Sequence, residues 1–445
     1  MSVLGIELRR SAAPGAALVT VVVGVGALYL ATGRWSVGWM ALAMVTREYL
    51  LLMWPLALAA GAWQGRREHR SGVGELFAST ARPPARRMLP VLAAMALTLT
   101  VAYLLVTAAG VAWISDTARY RPVLPFAVVT GVGVLALIGA AWLGLGIGRM
   151  LPALVTAPAL GVSGVLLAFV SAVVPPDWLA AAISPIHGTG RFHDYQTIDN
   201  RVSGALAIWL AALAVAGLLL FVGGGWRTRT AAVVPVVLGL VAATAVVPRD
   251  PDVLTWPVDP VARELVCTDD TPTVCVSRVH ATVLDPVTPL AREGLAALAK
   301  LPAAPTAVHE DTRTIGDEES WPAPREGVVT IEIRIDRSGR LAHPVSVVPG
   351  VVRGLGVPYD GQCRNRNVVV ERAAAYWLLG RAPQSDVDVV PGTISEDPEA
   401  NAAAVTLWQE LRELPEEEAL ARVTAVRDAL TACLDPAGLL SRSTR

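Results

Sequence analysis

The chain has 445 residues, of which 53% are hydrophobic and only 17% charged, and its mean hydropathy is +0.50. Soluble domains carry roughly a quarter charged residues, so an all-soluble protein is excluded, as are a disordered chain, a collagen and a small disulfide scaffold. The net charge of −1 conceals two opposite parts: residues 1–248 hold 17 Arg and 8 acidic residues, net +9, and residues 249–445 hold 20 basic and 30 acidic ones, net −10.

The basic part consists of long apolar runs with short gaps. A helix needs roughly 20 apolar residues to cross the hydrocarbon core. The runs predict seven spans, at Ala16–Ala31, Tyr49–Trp63, Leu89–Ile114, Val123–Ile147, Leu151–Val174, Val202–Val222 and Ala231–Val247. Pro55, Pro125, Pro158 and Pro235 lie inside them, which membrane helices tolerate because neighbouring groups satisfy the freed carbonyls. Arg9 and Arg10 precede the first run as in a signal peptide, but no small-x-small site follows Leu30, so an uncleaved span is expected.

Arginine sets the expected orientation, since cytoplasmic loops are enriched in positive charge. With the N-terminus inside, eleven Arg fall on the cytoplasmic side and six outside, the latter offset by Asp116, Asp177, Asp194 and Asp199. Seven spans then leave the tail outside. The expected organisation is a membrane all-α helical bundle over 1–248, a Pro- and Asp-rich linker over 249–259, and an extracytoplasmic soluble α+β domain over 260–445 in the plasma membrane of a cell. Cysteine usage points the same way. Cys267, Cys275, Cys363 and Cys433 all follow the last span, as expected of disulfides in an oxidising compartment. Of three pairings, Cys267–Cys275 and Cys363–Cys433 are favoured. Free buried thiols are the alternative, and zinc is disfavoured because no C-x-x-C knuckle is present.

One connection is long on the expected cytoplasmic side: 64–88, QGRREHRSGVGELFASTARPPARRM. Val73, Leu76 and Phe77 fall at i, i+3 and i+4, one apolar helical face, which Pro83 and Pro84 end. The helix is bracketed by Arg. Such a segment lies in the headgroups or docks a partner. The stretch RREHRSGVGELFASTARPPARR resembles the corresponding loop of bacterial, especially actinobacterial, ABC-type exporter permeases of the ABC-2 class. The resemblance implies a coupling helix seated on a separate ATP-binding subunit, with Arg66, Arg67, Glu68, Glu75, Leu76 and Phe77 as the docking contacts, and a dimer or paired permease. The N-terminal segment is shorter than that family's interfacial helix, and a seventh span and an outer domain are added to a six-span core. No phosphate-binding loop of the G-x-x-x-x-G-K-[ST] type occurs, the single lysine being Lys300, so an ATPase must be another polypeptide.

Within the spans, only Arg47-Glu48 is ionic, at the outer end of span two, as interfacial anchors or as a pair facing a cavity. The otherwise uncharged spans argue against ion coupling. The outer loop holds Trp178 and Ala180–Ile183, a short re-entrant or interfacial helix, and His187, His193, Asp194 and Asp199, which are metal-type ligands read here as solvated.

In the tail, Val274–Leu284 and Val328–Ile335 alternate as strands, the second ending in the turn Asp336-Arg337-Ser338-Gly339. Thr288–Leu301, Val368–Gly380, Ala400–Leu414 and Glu416–Leu434 read as helices, and Val308–Ser320 as acidic loop. His309-Glu310-Asp311 lacks a second zinc ligand, since position 313 is Arg, and no G-x-S-x-G elbow occurs. No enzymatic activity, cofactor, metal or nucleic-acid partner is expected. The sequence therefore reads as the membrane subunit of an ATP-driven exporter, in contact with lipid. The alternative is a non-transporting anchor or assembly factor that presents an extracytoplasmic binding domain.

Overall fold

The computed structural model describes residues 3–70, 84–190, 193–223, 225–255, 257–314, 325–357, 363, 366–384 and 398–441. The chain divides into two compact units, Met1–Asp259 and Pro260–Arg445.

The first unit is helical. Its main elements are α1 (Val3–Arg10), α2 (Ala13–Leu30), α3 (Trp39–Glu48), α4 (Leu50–Gly65), α5 (Pro84–Ile114), α6 (Val123–Met150), α7 (Thr156–Val173), α8 (Asp177–Ile183), α9 (Asn200–Val222) and α10 (Val233–Val246). Among the described residues, six helices are long and apolar enough to cross a membrane, and α3 with α4, bent by 47°, brings the number to seven if the pair is one span. The outer surfaces of these helices are apolar. Leu18 and Val22 on α2, Leu166 and Phe169 on α7, and Leu238 and Val241 on α10 are exposed. Water does not stabilise so wide an apolar exterior, whereas lipid does.

The second expected span differs in form. Instead of a short helix at Tyr49–Trp63, two helices meet at Tyr49. Pro55 lies inside α4 and has no N–H to give the carbonyl four residues back, which loosens the turn beside the break. The chain thereby gains α3, whose residues Met40–Arg47 are all buried. At the opposite end of α2, Trp35 donates Nε1–H to Leu28 O at 2.8 Å. Its ring meets Tyr29 and Trp113 edge-on, an aromatic cluster of the kind found at membrane interfaces.

The second unit is α+β. Strands β1 (Leu265–Cys267), β2 (Thr273–Ser277), β3 (Ala307–Glu310) and β4 (Val328–Ile331) lie in the order β1-β2-β3-β4, β1 antiparallel to β2 and the rest parallel. Helix α11 (Leu284–Leu298) makes the β2–β3 crossover that parallel pairing requires. It buries Val287, Ala291, Leu295 and Leu298, one stripe at helical spacing, in a core with Val274, Val308 and Ile331. Helices α12 (Pro344–Val352), α13 (Val368–Leu379), α14 (Pro398–Arg412) and α15 (Glu416–Thr431) complete the unit. Asn367 caps α13 by accepting from Val370 N, and Gly380 ends it at φ 69°, the left-handed position glycine fills without strain. The predicted strand over 274–284 is cut short at Ser277, where a 3₁₀ turn leads into α11. Strand β3 forms in the stretch expected as loop, where Val308 and Glu310 face one side. The Asp336 turn is present: its carboxylate accepts from Ser338 N and Arg340 N.

Candidate functional site

The base of the 64–88 connection is tied to its own chain. Gln64 Oε1 accepts from Ala12 N at 3.0 Å. Arg67 pairs with Glu7 of α1 at 2.9 Å. Arg66 is buried, lies over the Trp63 ring and donates to Ala153 O in the α6–α7 connection. Of the residues read as docking contacts, Arg66 and Arg67 thus have partners within the chain. Glu75, Leu76 and Phe77 lie outside the described residues, as does the side chain of Glu68.

Above this base, α4 and α6 touch backbone to backbone. A Cβ on Gly61 or Gly65 would meet the carbonyl oxygens of Ala141 and Leu145, and one on Gly144 or Gly148 those of Leu58 and Ala62. Each pair is four residues apart and occupies one face, the small-residue pattern by which membrane helices approach closely. Gly217 of α9 meets α6 in the same way at Trp142 and Leu143. The contact makes α4, α6 and α9 one packed block.

The least ordinary group in the unit is Arg47. Arg47 and Glu48 do not act together. Glu48 forms a two-point pair with Arg34, at 3.0 and 2.7 Å, while Arg47 is fully buried. Among the described residues it is not half of an ion pair, and it lies inward with the buried run Met40–Arg47 of α3. Its Nε donates to Pro185 O at 2.8 Å and its Nη2 to His187 O at 3.3 Å. Among the described residues no carboxylate lies within 4 Å of it, and Nη1 has no partner. Tyr103 of α5, also fully buried, lies in reach of the Arg47 charge. Among the described residues its hydroxyl has no partner, and it rests against Gly133 of α6. Among the described residues His187 Nε2 has no partner. Burial, then the Arg47 charge, holds its imidazole below the ordinary value, against opposing effects of Asp177 and the Ala172 backbone.

The loop between α8 and α9 that supplies those carbonyls is a built element. Ala180, Ala181 and Ala182 of α8 are buried. Gln196 donates to Gly190 O and Thr255 O and bridges to Val258. Asp259 N donates to Tyr195 O, and Tyr120 donates its hydroxyl to Asp259 at 2.6 Å. Segment 249–259, read as a linker, is therefore knitted into the first unit, with Arg249 over the Trp178 ring. His193 stacks on Tyr195, and Asp199 caps α9 and pairs with Arg201.

In the second unit, Cys267–Cys275 and Cys363–Cys433 are disulfides. Glu310 is buried because it shares the inward face of β3 with Val308. Its carboxylate accepts from Ser277 N and from His280 Nδ1, both at 2.6 Å, and pins the 3₁₀ turn to the sheet. His309, on the other face, is held below its ordinary value by burial and then by Arg325.

Compared with family models, curated proteins and solved structures, the chain has no match. The pattern-based sequence reading passed over three features: the depth of Arg47, the glycine pairs and the Glu310–His280 contact. The G-x-x-x-G spacing at 61/65 and 144/148 was a usable signal for the second. An Arg that recurs beside an apolar run reports only that it is near a span end, so depth had no signal.

Proposed function

We propose that the chain is a membrane-spanning subunit of an ATP-driven exporter, energised by a separate ATP-binding subunit that docks on the 64–88 loop. The observation that carries the reading is the way that loop is rooted. Gln64 and Arg67 tie its start to the N-terminal segment, and Arg66 ties it to the α6–α7 connection. The glycine faces then join α4 to α6. A displacement applied at the loop is passed to several helices through close-packed contacts, which behave as one body rather than absorbing it. The only lysine, Lys300, donates to Leu378 O in the second unit, so the hydrolysing machinery belongs to a partner. The asymmetry of Arg supports a cytoplasmic N-terminus, and two disulfides support an extracytoplasmic second unit, since cytosolic thiols are kept reduced. The resemblance implies a dimer or paired permease.

The test is copurification with an ATP-binding subunit and nucleotide-dependent substrate movement in vesicles. Leu76→Asp with Phe77→Asp is expected to abolish association while leaving the protein in the membrane. Association that survives the double substitution overturns the docking role. Vesicles that bind the ATPase yet move nothing favour the anchor reading.

A further inference from the structure

We propose that Arg47, with Tyr103 and His187, forms an anion-recognition site inside the first unit, taking the carboxylate or phosphate head of an amphiphile. The inference rests on the exporter reading only in treating that amphiphile as cargo.

A buried guanidinium is stable when its five N–H groups are satisfied and its charge is balanced. Here two carbonyl oxygens accept from it, Nη1 is unpartnered, and no carboxylate lies within 4 Å among the described residues. Two further polar groups have no partner among the described residues: Nε2 of His187, the residue whose carbonyl accepts from Arg47, and the Tyr103 hydroxyl, which rests on Gly133. All three come from different elements; Arg47 and Tyr103 have N–H and O–H groups to donate, and His187 Nε2 donates once the imidazole is protonated, a state that a bound oxyanion favours. An oxyanion supplies what they lack, a counter-charge and several acceptor lone pairs, and arginine is the side chain best matched to it. A cation or a neutral carbonyl compound leaves the charge unbalanced.

An apolar body on that anion is indicated by a groove on the neighbouring face of α6. A groove of about 410 Å³ runs between α6 and α9, lined by Val128, Gly131, Val132, Leu135, Ser203 and Ala207. Val132 lines the groove, and the next residue, Gly133, is where the Tyr103 hydroxyl rests. The anion site and the groove thus share one level of α6, on neighbouring faces of the helix, with a mostly apolar lining and few polar groups.

The experiment uses the full chain in neutral detergent, titrated with dodecyl phosphate, laurate and inorganic phosphate, with binding read by tryptophan fluorescence and by the shift in Tm. Saturable binding of dodecyl phosphate or laurate is expected, weakened more than tenfold in Arg47→Gln and severalfold in Tyr103→Phe, which keeps the ring and removes only the hydroxyl. Equal binding by Tyr103→Phe and wild type overturns the site even where Arg47→Gln fails to fold. Inorganic phosphate binding as tightly as dodecyl phosphate overturns the amphiphile. Competition by phosphatidylglycerol in nanodiscs supports the proposal with a bilayer lipid as occupant. Association with the ATP-binding subunit is read in the same samples. If it is absent while Arg47-dependent binding persists, the exporter reading fails and the site stands.

Discussion

Arg47 donates its Nε–H to the carbonyl oxygen of Pro185, 2.8 Å away and 138 residues further along the chain. The bond joins the end of α3 to the loop between α8 and α9 and buries a cation that, among the described residues, has no carboxylate within 4 Å. Arg47→Ala is expected to leave the Pro185 and His187 carbonyls without a donor, at a cost of about 1–3 kcal/mol for each buried group. The loss is local, so hydrogen exchange and proteolysis within 184–190 are expected to quicken more than elsewhere. Uniform protection in the variant would show that the loop is held by other contacts.

The α4–α6 contact has no room for a side chain. Gly144→Val is expected to force the helices apart and to lower the thermal midpoint in detergent, by about 1–3 kcal/mol or more of stability. Gly26 on α2 faces open space, so Gly26→Ala is expected to stay within about 0.5 kcal/mol of wild type. Similar midpoints for the two variants would contradict the close approach.

Glu310 satisfies two groups at once, so Glu310→Ala leaves Ser277 N–H and His280 Nδ1–H buried without an acceptor. The expected loss is about 2–5 kcal/mol, the range for breaking a buried charged contact. Urea unfolding of the full chain, followed by probes in the second unit, measures it. Glu310→Gln retains an acceptor oxygen and is expected to lose less.

The two disulfides close loops of unequal length, 8 and 70 residues of separation. Loop-closure entropy assigns about 2.5 kcal/mol to the first and about 4.4 kcal/mol to the second. Replacing Cys363 and Cys433 by Ser is therefore expected to lower the urea midpoint more than replacing Cys267 and Cys275. In intact cells, a membrane-impermeant thiol reagent is expected to label the protein only after reduction. Labelling without reductant overturns the disulfides, and labelling only after lysis overturns the outside placement.

Asp336 titrates low. Burial is the largest single effect and raises its value, but the Ser338 hydroxyl, the Arg340 and Ser338 amides and the Arg340 charge together outweigh it and hold the carboxyl below 3.8. A depressed folded value means the turn gains stability from the ionised form above pH 3.8, and loses that gain as pH falls through the lowered value. Asp336→Asn is expected to narrow the stability difference between pH 5 and pH 3. An unchanged pH dependence would remove Asp336 as a contributor.

Apolar runs of spanning length, the charge split near residue 248, the confinement of Cys to the tail and the Gly380 helix stop were legible directly. Each depends on neighbours in the chain, through hydropathy over about 20 residues or through local backbone preference. Strand β3 was not legible, because four residues in an acidic stretch become a strand only once β2 and β4 lie on either side. Its polar Glu310 also hid the alternation, and only the arrival of His280 and Ser277 makes burying that carboxylate tolerable. The Arg47-Glu48 dipeptide shows the same limit. One-dimensional spacing places both side chains at a span end, whereas on α3 successive residues point about 100° apart, so one reaches outward to Arg34 and the other inward to Pro185. Composition and period determined that this chain has a lipid-facing part and a separate α+β part. Which charges are buried, and which backbones touch, was decided only by contacts between segments far apart in sequence, since desolvation and close packing depend on what surrounds a group in three dimensions.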